Sequence, residues 1–483
     1  MPRASRRMGP ADVLWLTMDR PTNLMVIVSV VLLESVPDWD RVLEVMRARL
    51  VEPYPVFSQR AVRSRGPFAR HRWEDVPDFD LERHVHRTTL PSGASDTELQ
   101  AYIEDHLAEP FDRSRPMWEV HLVDGHGEGA ALVFRIHHAL ADGIALTRVL
   151  LGLTEDADGR PGDLVGPRTD TGLAPAALAA QAGGPGGPGA VASALRLART
   201  TLRVGWKQLR DKGAREAVTD AASVTLRTGQ VVSDLLLTTN PASAVGGEPG
   251  RRKRVVWTSP LPLPGLKQAG RLVGATLNDV LLSAVAGALH TYQDDRGIDP
   301  VDLVTMVPVN VRPLDEPLPR ELGNRFALLF LRFPSREATP LGRLALSKAR
   351  MDWLKASPEA VLTFALISVI GHLPARVERL VVDFFADKAI GVTTNVAGPR
   401  ELRRLADVPV TGVLGWVPGS GRHTLGFCIV TYDDAVRIGV MADEGVISDP
   451  EGLLAALEEE VALLVRIGAA GGTAPRRRRE PRS

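Results

Sequence analysis

Cysteine is nearly absent: Cys428 is the single one in 483 residues. An internal disulfide is impossible and a cysteine-built zinc site is excluded; a reducing, cytoplasmic setting fits. Charge of one sign is also missing, because 58 Lys plus Arg balance 58 Asp plus Glu. That argues against a nucleic-acid partner, whose recognition needs a basic surface. Long apolar runs are lacking too. The longest early one, Leu24 to Leu33, is interrupted by Ser29 and falls far short of the ~20 residues that cross a bilayer. Any membrane contact is therefore expected to be peripheral. Arg3, Arg6 and Arg7 are not followed by an apolar core, so no secretory leader is expected.

What is present reads as globular, with 44% hydrophobic and 24% charged residues. At ~100–200 residues per domain the length predicts more than one domain. Residues 1–154 alternate helical and strand-like stretches: a helix over Trp39 to Leu50, another over Ser95 to Ala108 with Glu98 set to close a capping box on Ser95, and a buried strand over Ala130 to Ile136. Residues 155–190 are Gly/Pro-rich linker in composition. Residues 191–250 read as a helical connection. There Arg196, Arg199, Arg203, Lys207 and Arg210 share one face, and Leu195, Leu202, Trp206 and Leu209 another. Such a helix lies on an anionic lipid surface or packs against the body with its charges in water. Residues 251–468 again mix strands and helices. Residues 469–483 are a basic tail of disordered composition. Two mixed α/β (α+β) halves of similar size predict two lobes with the site in a cleft between them.

The chemistry concentrates in His137-His138-Ala139-Leu140-Ala141-Asp142-Gly143, on a strand-to-helix connection. Histidine, with an unperturbed pKa of ~6.5, accepts a proton at neutral pH and can activate a hydroxyl for attack on a thioester. Asp142 fixes the local loop, and Gly143 is expected to permit a sharp turn before the helix. No serine or cysteine is paired with the unit, so direct transfer without a covalent intermediate is expected. Adjacent strand residues face opposite sides, so one histidine faces the cleft and the other supports it. A His-His-Asp metal site finds no further ligand cluster nearby, and no metal is expected.

With Pro116-Met117-Trp118-Glu119, Asn278-Asp279-Val280, Val307 to Arg312, Gly323-Asn324 and Asn395-Val396-Ala397-Gly398-Pro399 in this order, nearly the whole chain resembles the bacterial wax ester synthase/acyl-CoA:diacylglycerol acyltransferase family. The first motif alone is shared with chloramphenicol acetyltransferases and condensation domains. Met117 stands where the family often has Leu, and Ala397 where it often has Pro. The resemblance implies two chloramphenicol-acetyltransferase-like lobes with a channel between them. It implies that His138 is the general base, with His137 supporting and Asp142 structural. It also implies acyl-CoA as donor substrate, no cofactor, and diacylglycerol or a fatty alcohol as acceptor, with work at an inner-membrane or lipid-droplet surface. Asn278, Asp279, Gly143 and Trp118 are candidate substrate-binding residues. Asn278 would donate to an oxyanion or simply cap its helix, and Trp118 would pack or line the channel. Two competing readings are a condensation-type enzyme with a carrier-protein donor and a non-catalytic droplet coat. Acyl length, acceptor preference, oligomeric state and the partner of Asp142 are left open; Arg312 is one guess for the last.

Overall fold

The computed structural model describes residues 5–63, 71–162, 240–310, 317–357, 363, 367, 370 and 375–472. The basic helix, the Gly/Pro-rich linker beyond residue 162, Arg312 and the arginine tail lie outside the described residues. The first half runs β1 (Ser5–Arg7), α1 (Pro10–Met18), β2 (Val26–Leu33), α2 (Trp39–Met46), β3 (Gln59–Arg63), β4 (His71–Asp75), β5 (Val85–Ala94), α3 (Asp96–Leu107), β6 (Trp118–His126), β7 (Gly129–His137) and α4 (Gly143–Gly152). The second half runs β8 (Lys253–Trp257), β9 (Leu261–Pro262), α5 (Leu263–Val273), α6 (Leu277–Asp294), β10 (Val304–Asn310), β11 (Phe326–Arg332), α7 (Pro340–Ala356), α8 (Ala375–Ala386), β12 (Gly391–Ala397), β13 (Arg404–Leu405), β14 (Val408–Trp416), β15 (Leu425–Tyr432), β16 (Ala435–Asp443) and α9 (Pro450–Gly472).

Local chemistry explains most of these boundaries. Ser95 and Thr276 each form a capping box, with Glu98 and Asp279 returning the bond to the cap amide, and so close orphan amides at a helix start. The helix from Trp39 ends as an α-helix at Met46 and continues as a π turn over Arg47–Val51. β2 is apolar on both faces because both are covered: Val26, Val28, Val30 and Leu32 enter one core and Ile27, Val31 and Leu33 another.

Two lobes form around two sheets. The first has strand order β13-β14-β2-β7-β6-β5, and the second β11-β10-β12-β15-β16-β8, with β9 added beside β16. The mixed two-lobe architecture agrees with the expectation, but residues 1–154 are not a self-contained lobe. β13 and β14, from the second half, complete the first sheet, and β14 pairs antiparallel with β2 from Val410↔Leu33 to Trp416↔Val28. A strand's own residues cannot reveal which sheet it will join, so this crossing is not visible in residue order. The lobes are further held by α3, whose Glu104 accepts from the Val255 amide at 2.8 Å and Arg254 Nε at 3.1 Å. A shared apolar core unites Val26, Val28, Leu99, Ile103, Trp257, Trp416 and Met441.

A shallow depression is lined by Asn23, Val26 and Leu107 from the first half and by Lys253 and Met441 from the second. His138 does not line it. Its connection to the motif is through the backbone, since Val26 is the register partner of His137.

Candidate active site

β7 delivers the two histidines to the lobe junction, and its alternation separates them. Leu132, Phe134 and Ile136 pack into the first lobe's core, and Ala131 and Val133 into the shared core. His137 continues the second set. It is 1% exposed, its Nδ1 accepts the Ala139 amide at 3.1 Å, and its Nε2 faces Asp19 Oδ2 at 3.6 Å. Asp19 is in turn held by the Met25 amide and Arg113, each at 2.9 Å. Burial pushes the Asp19 carboxyl up, but His137, the Met25 amide and Arg113 together hold it below the usual range. His137 is thus enclosed, and its ring is spent on holding the loop.

His138 lies on the opposite side, only partly covered. Its ring stacks on Trp15 of α1 with centroids 3.9 Å apart and an interplanar angle of 16°. Phe326, at the start of β11, lies 6.3 Å from it. Its Nδ1 is 3.1 Å from Asn324 Oδ1. The orientation of that amide is fixed by its other contacts: Nδ2 donates to Asp12 Oδ1 and to the His138 carbonyl, both at 2.9 Å and both acceptors only. The amide oxygen must therefore face the ring, so Nδ1 carries the proton and Nε2 presents a lone pair. Asp12 anchors the arrangement. It also accepts the Asn324 amide at 3.0 Å and the Gly9 amide at 3.1 Å. Burial raises its carboxyl to about 6 against the pull of these bonds. Burial lowers the His138 imidazole to about 4, so it is neutral across the physiological range.

Asp142 caps α4. Its Oδ1 accepts the Ala145 amide at 2.8 Å, and its Oδ2 accepts the Arg325 amide at 3.0 Å. It therefore ties the start of the helix to the residue after Asn324; this backbone amide is a partner that spacing alone could not select. Asp142→Ala should cost about 1–2 kcal/mol of stability through the lost cap and lower turnover less than loss of the His138 ring. Asp142→Asn, which can still cap, should recover part of the stability. Urea unfolding midpoints measured beside initial rates would check both.

The structure bears on four expectations, overturning some and deciding between the alternatives of others. Gly143 is the first residue of α4, and a Cβ there would meet nothing within 4 Å, so no special turn demands a glycine. Trp118 is 0% exposed, with Nε1 donating to the Phe57 carbonyl at 2.8 Å. It is core packing rather than channel wall, because burial leaves it no free face. The cap of α6 is Thr276, not Asn278, whose Oδ1 instead accepts Asn395 Nδ2 at 2.9 Å. Asn395 to Ala397 form the end of β12 rather than a turn. Gly398 is required there by closeness, since a Cβ would lie 2.3 Å from the Thr431 carbonyl oxygen. The Asn278 and Asn395 motifs are thus one unit of the second lobe, and Asp279 is its fully buried capping-box member. The ring contacts of His138 come from none of these three residues.

Asp12, Trp15 and a role for Asn324 were missed by sequence reasoning. A signal existed for the first two: Gly9-Pro10 opens a helix, with Asp12 as its third residue returning a bond to the Gly9 amide and Trp15 one turn on, over the same face.

The description of the wax ester synthase/diacylglycerol acyltransferase catalytic domain fits residues 8–281, and that of the family's C-terminal domain fits residues 322–464. A Mycobacterium tuberculosis protein named "Probable diacyglycerol O-acyltransferase tgs1" is 27% identical over 456 residues, 93% of this chain and 93% of its own. The solved wax ester synthase/diacylglycerol acyltransferase from Marinobacter aquaeolei VT8 superposes with a TM-score of 0.65 at 19% identity, covering 96% of this chain and all of that one. The first condensation domain of the calcium-dependent antibiotic synthetase superposes with a TM-score of 0.58 at 17% identity, over 96% of this chain and 97% of its own. These two likenesses establish the shared two-lobe fold.

Proposed function

The chain belongs to the wax ester synthase/diacylglycerol acyltransferase family, and from that premise we propose that it moves a long-chain acyl group from acyl-CoA to diacylglycerol or a long-chain alcohol, with His138 Nε2 as general base. The observation that carries the base assignment is the Asp12–Asn324–His138 chain, which protonates Nδ1 and leaves Nε2 free. Nε2 takes the proton of the acceptor hydroxyl as its oxygen attacks the thioester carbonyl. The tetrahedral adduct collapses with loss of the CoA thiolate, which takes the proton back from the imidazolium. No covalent enzyme intermediate is needed. A base lowered to about 4 does not wait on deprotonation at neutral pH, and proton removal must then accompany carbon–oxygen bond formation, since the imidazole alone is too weak to form the alkoxide first.

Work at a lipid surface is supported by α8, where Val377, Leu380 and Phe384 are 43%, 71% and 45% exposed at three- and four-residue spacing. Among the described residues no single helix is long and apolar enough to cross a membrane.

The test is CoA release from palmitoyl-CoA with dipalmitoylglycerol or hexadecanol, with an acyl-carrier-protein donor as comparison. Turnover with acyl-CoA and at least one acceptor is expected. The acid limb of kcat/KM that belongs to His138 should lie below the ordinary imidazole range, and a shallower change near 6 should belong to Asp12, which holds Asn324. No CoA release with either acceptor, or turnover with the carrier donor alone, would overturn the reading.

A further inference from the structure

The mechanism leaves unused a set of side chains on the far face of the first sheet. β5 is the edge strand and runs parallel to β6, with His86 opposite His121. Glu119 lies two residues from His121, on the same face. Donor atoms of His86, Glu119 and His121 all lie within 4.8 Å of one another. We propose that these three residues bind a borderline divalent transition-metal ion of the Zn²⁺ or Co²⁺ kind, which clips the edge strand to its neighbour.

The independent observation is His121. Its side chain is 7% exposed, and its Nε2 is buried without a hydrogen-bond partner. The nearest carboxylate oxygen, Glu119 Oε2, is 3.5 Å away. An orphaned ring nitrogen facing a carboxylate and a second imidazole is the arrangement a metal ion would satisfy. The other ring nitrogen is already oriented, because Nδ1 lies 2.6 Å from the Tyr102 hydroxyl of α3. With Nε2 on the ion, Nδ1 carries the proton and donates to that hydroxyl oxygen, which fixes the ring as metal-bound imidazoles require. Tetrahedral coordination at ~2.0–2.2 Å puts donors about 3.3–3.6 Å apart, the spacing His121 and Glu119 already have at 3.5 Å, so a rotation of the exposed His86 closes the set and gives the ion its way in.

Arg135 Nη1 donates to Glu119 Oε2 at 2.6 Å. It keeps that carboxyl ionised, while its charge lowers the affinity. The mixed nitrogen and oxygen donor set selects against Mg²⁺ and Ca²⁺, which take oxygen ligands. The site lies on the sheet face covered by α3, opposite the His138 side, so its effect is on the edge of the lobe and not on the reacting atoms.

Equilibrium dialysis of the untagged full chain against Zn²⁺, with Co²⁺ absorption as a second readout, tests the site. One equivalent should bind, with no competition from Mg²⁺, and Zn²⁺ should raise the melting temperature. His86→Ala, at an exposed position, should weaken binding by at least about tenfold, remove the thermal shift and leave acyl transfer unchanged. His121→Gln should abolish the Co²⁺ spectrum. Absence of stoichiometric binding at micromolar free metal, or binding that survives both substitutions in folded protein, would overturn the proposal.

Discussion

His138→Gln should lower kcat by about 10²–10⁴-fold, the usual contribution of a positioned general base, with the unfolding transition little changed. Glutamine is the informative replacement. Its amide N–H can still reach Asn324 Oδ1, and its chain still covers Trp15, which stacks on the native ring. It has no group that accepts a proton at neutral pH. Alanine removes the same base but also opens a void beside Trp15, so its stability loss would blur the interpretation. The distinguishing measurement is single-turnover CoA release at saturating acyl-CoA, with acyl-CoA affinity measured separately. Intact binding with lost turnover supports the base. Retained turnover removes His138 from the role and returns attention to His137, although that ring is enclosed and committed to the Ala139 amide.

Asn324→Leu should cost about 10²-fold in turnover, by analogy with the loss of groups that orient a working histidine, and about 2–3 kcal/mol in stability. Leucine has a similar outline but no donors. Asp12, fully enclosed and already raised to about 6, would keep the backbone amide of residue 324 but lose the side-chain donor. The His138 carbonyl would lose its partner, and the imidazole would be free to place its proton on either nitrogen. Asn324 is a positioning residue, so the test must separate orientation from general loosening. Combining Asn324→Leu with His138→Gln should give far less than the product of the two losses, because both act through one nitrogen lone pair. The acid limb of kcat/KM should also move in Asn324→Leu. Simple destabilisation would give multiplied losses and an unmoved limb.

The motif that drew attention, the capping boxes at Ser95 and Thr276, the apolar run of β2 and the family itself were all legible from residue order. They are written in short-range spacing: which donor lies three positions from which cap, which apolar residue repeats at two or four. The sequence by itself therefore determined most of the elements, the two-lobed class and the family. Only the tertiary structure decided which ring is committed and which is free, because that depends on Asn324 and Asp12, 186 and 312 residues from their partners in those bonds. It alone placed β14 in the first lobe's sheet, put Trp118 in the core and joined Asn278 to Asn395. The physical reason is common to all of them. Spacing along the chain fixes hydrogen bonds within a turn or a strand, whereas the state of a buried ring is set by whatever polar atoms the fold brings to its edge.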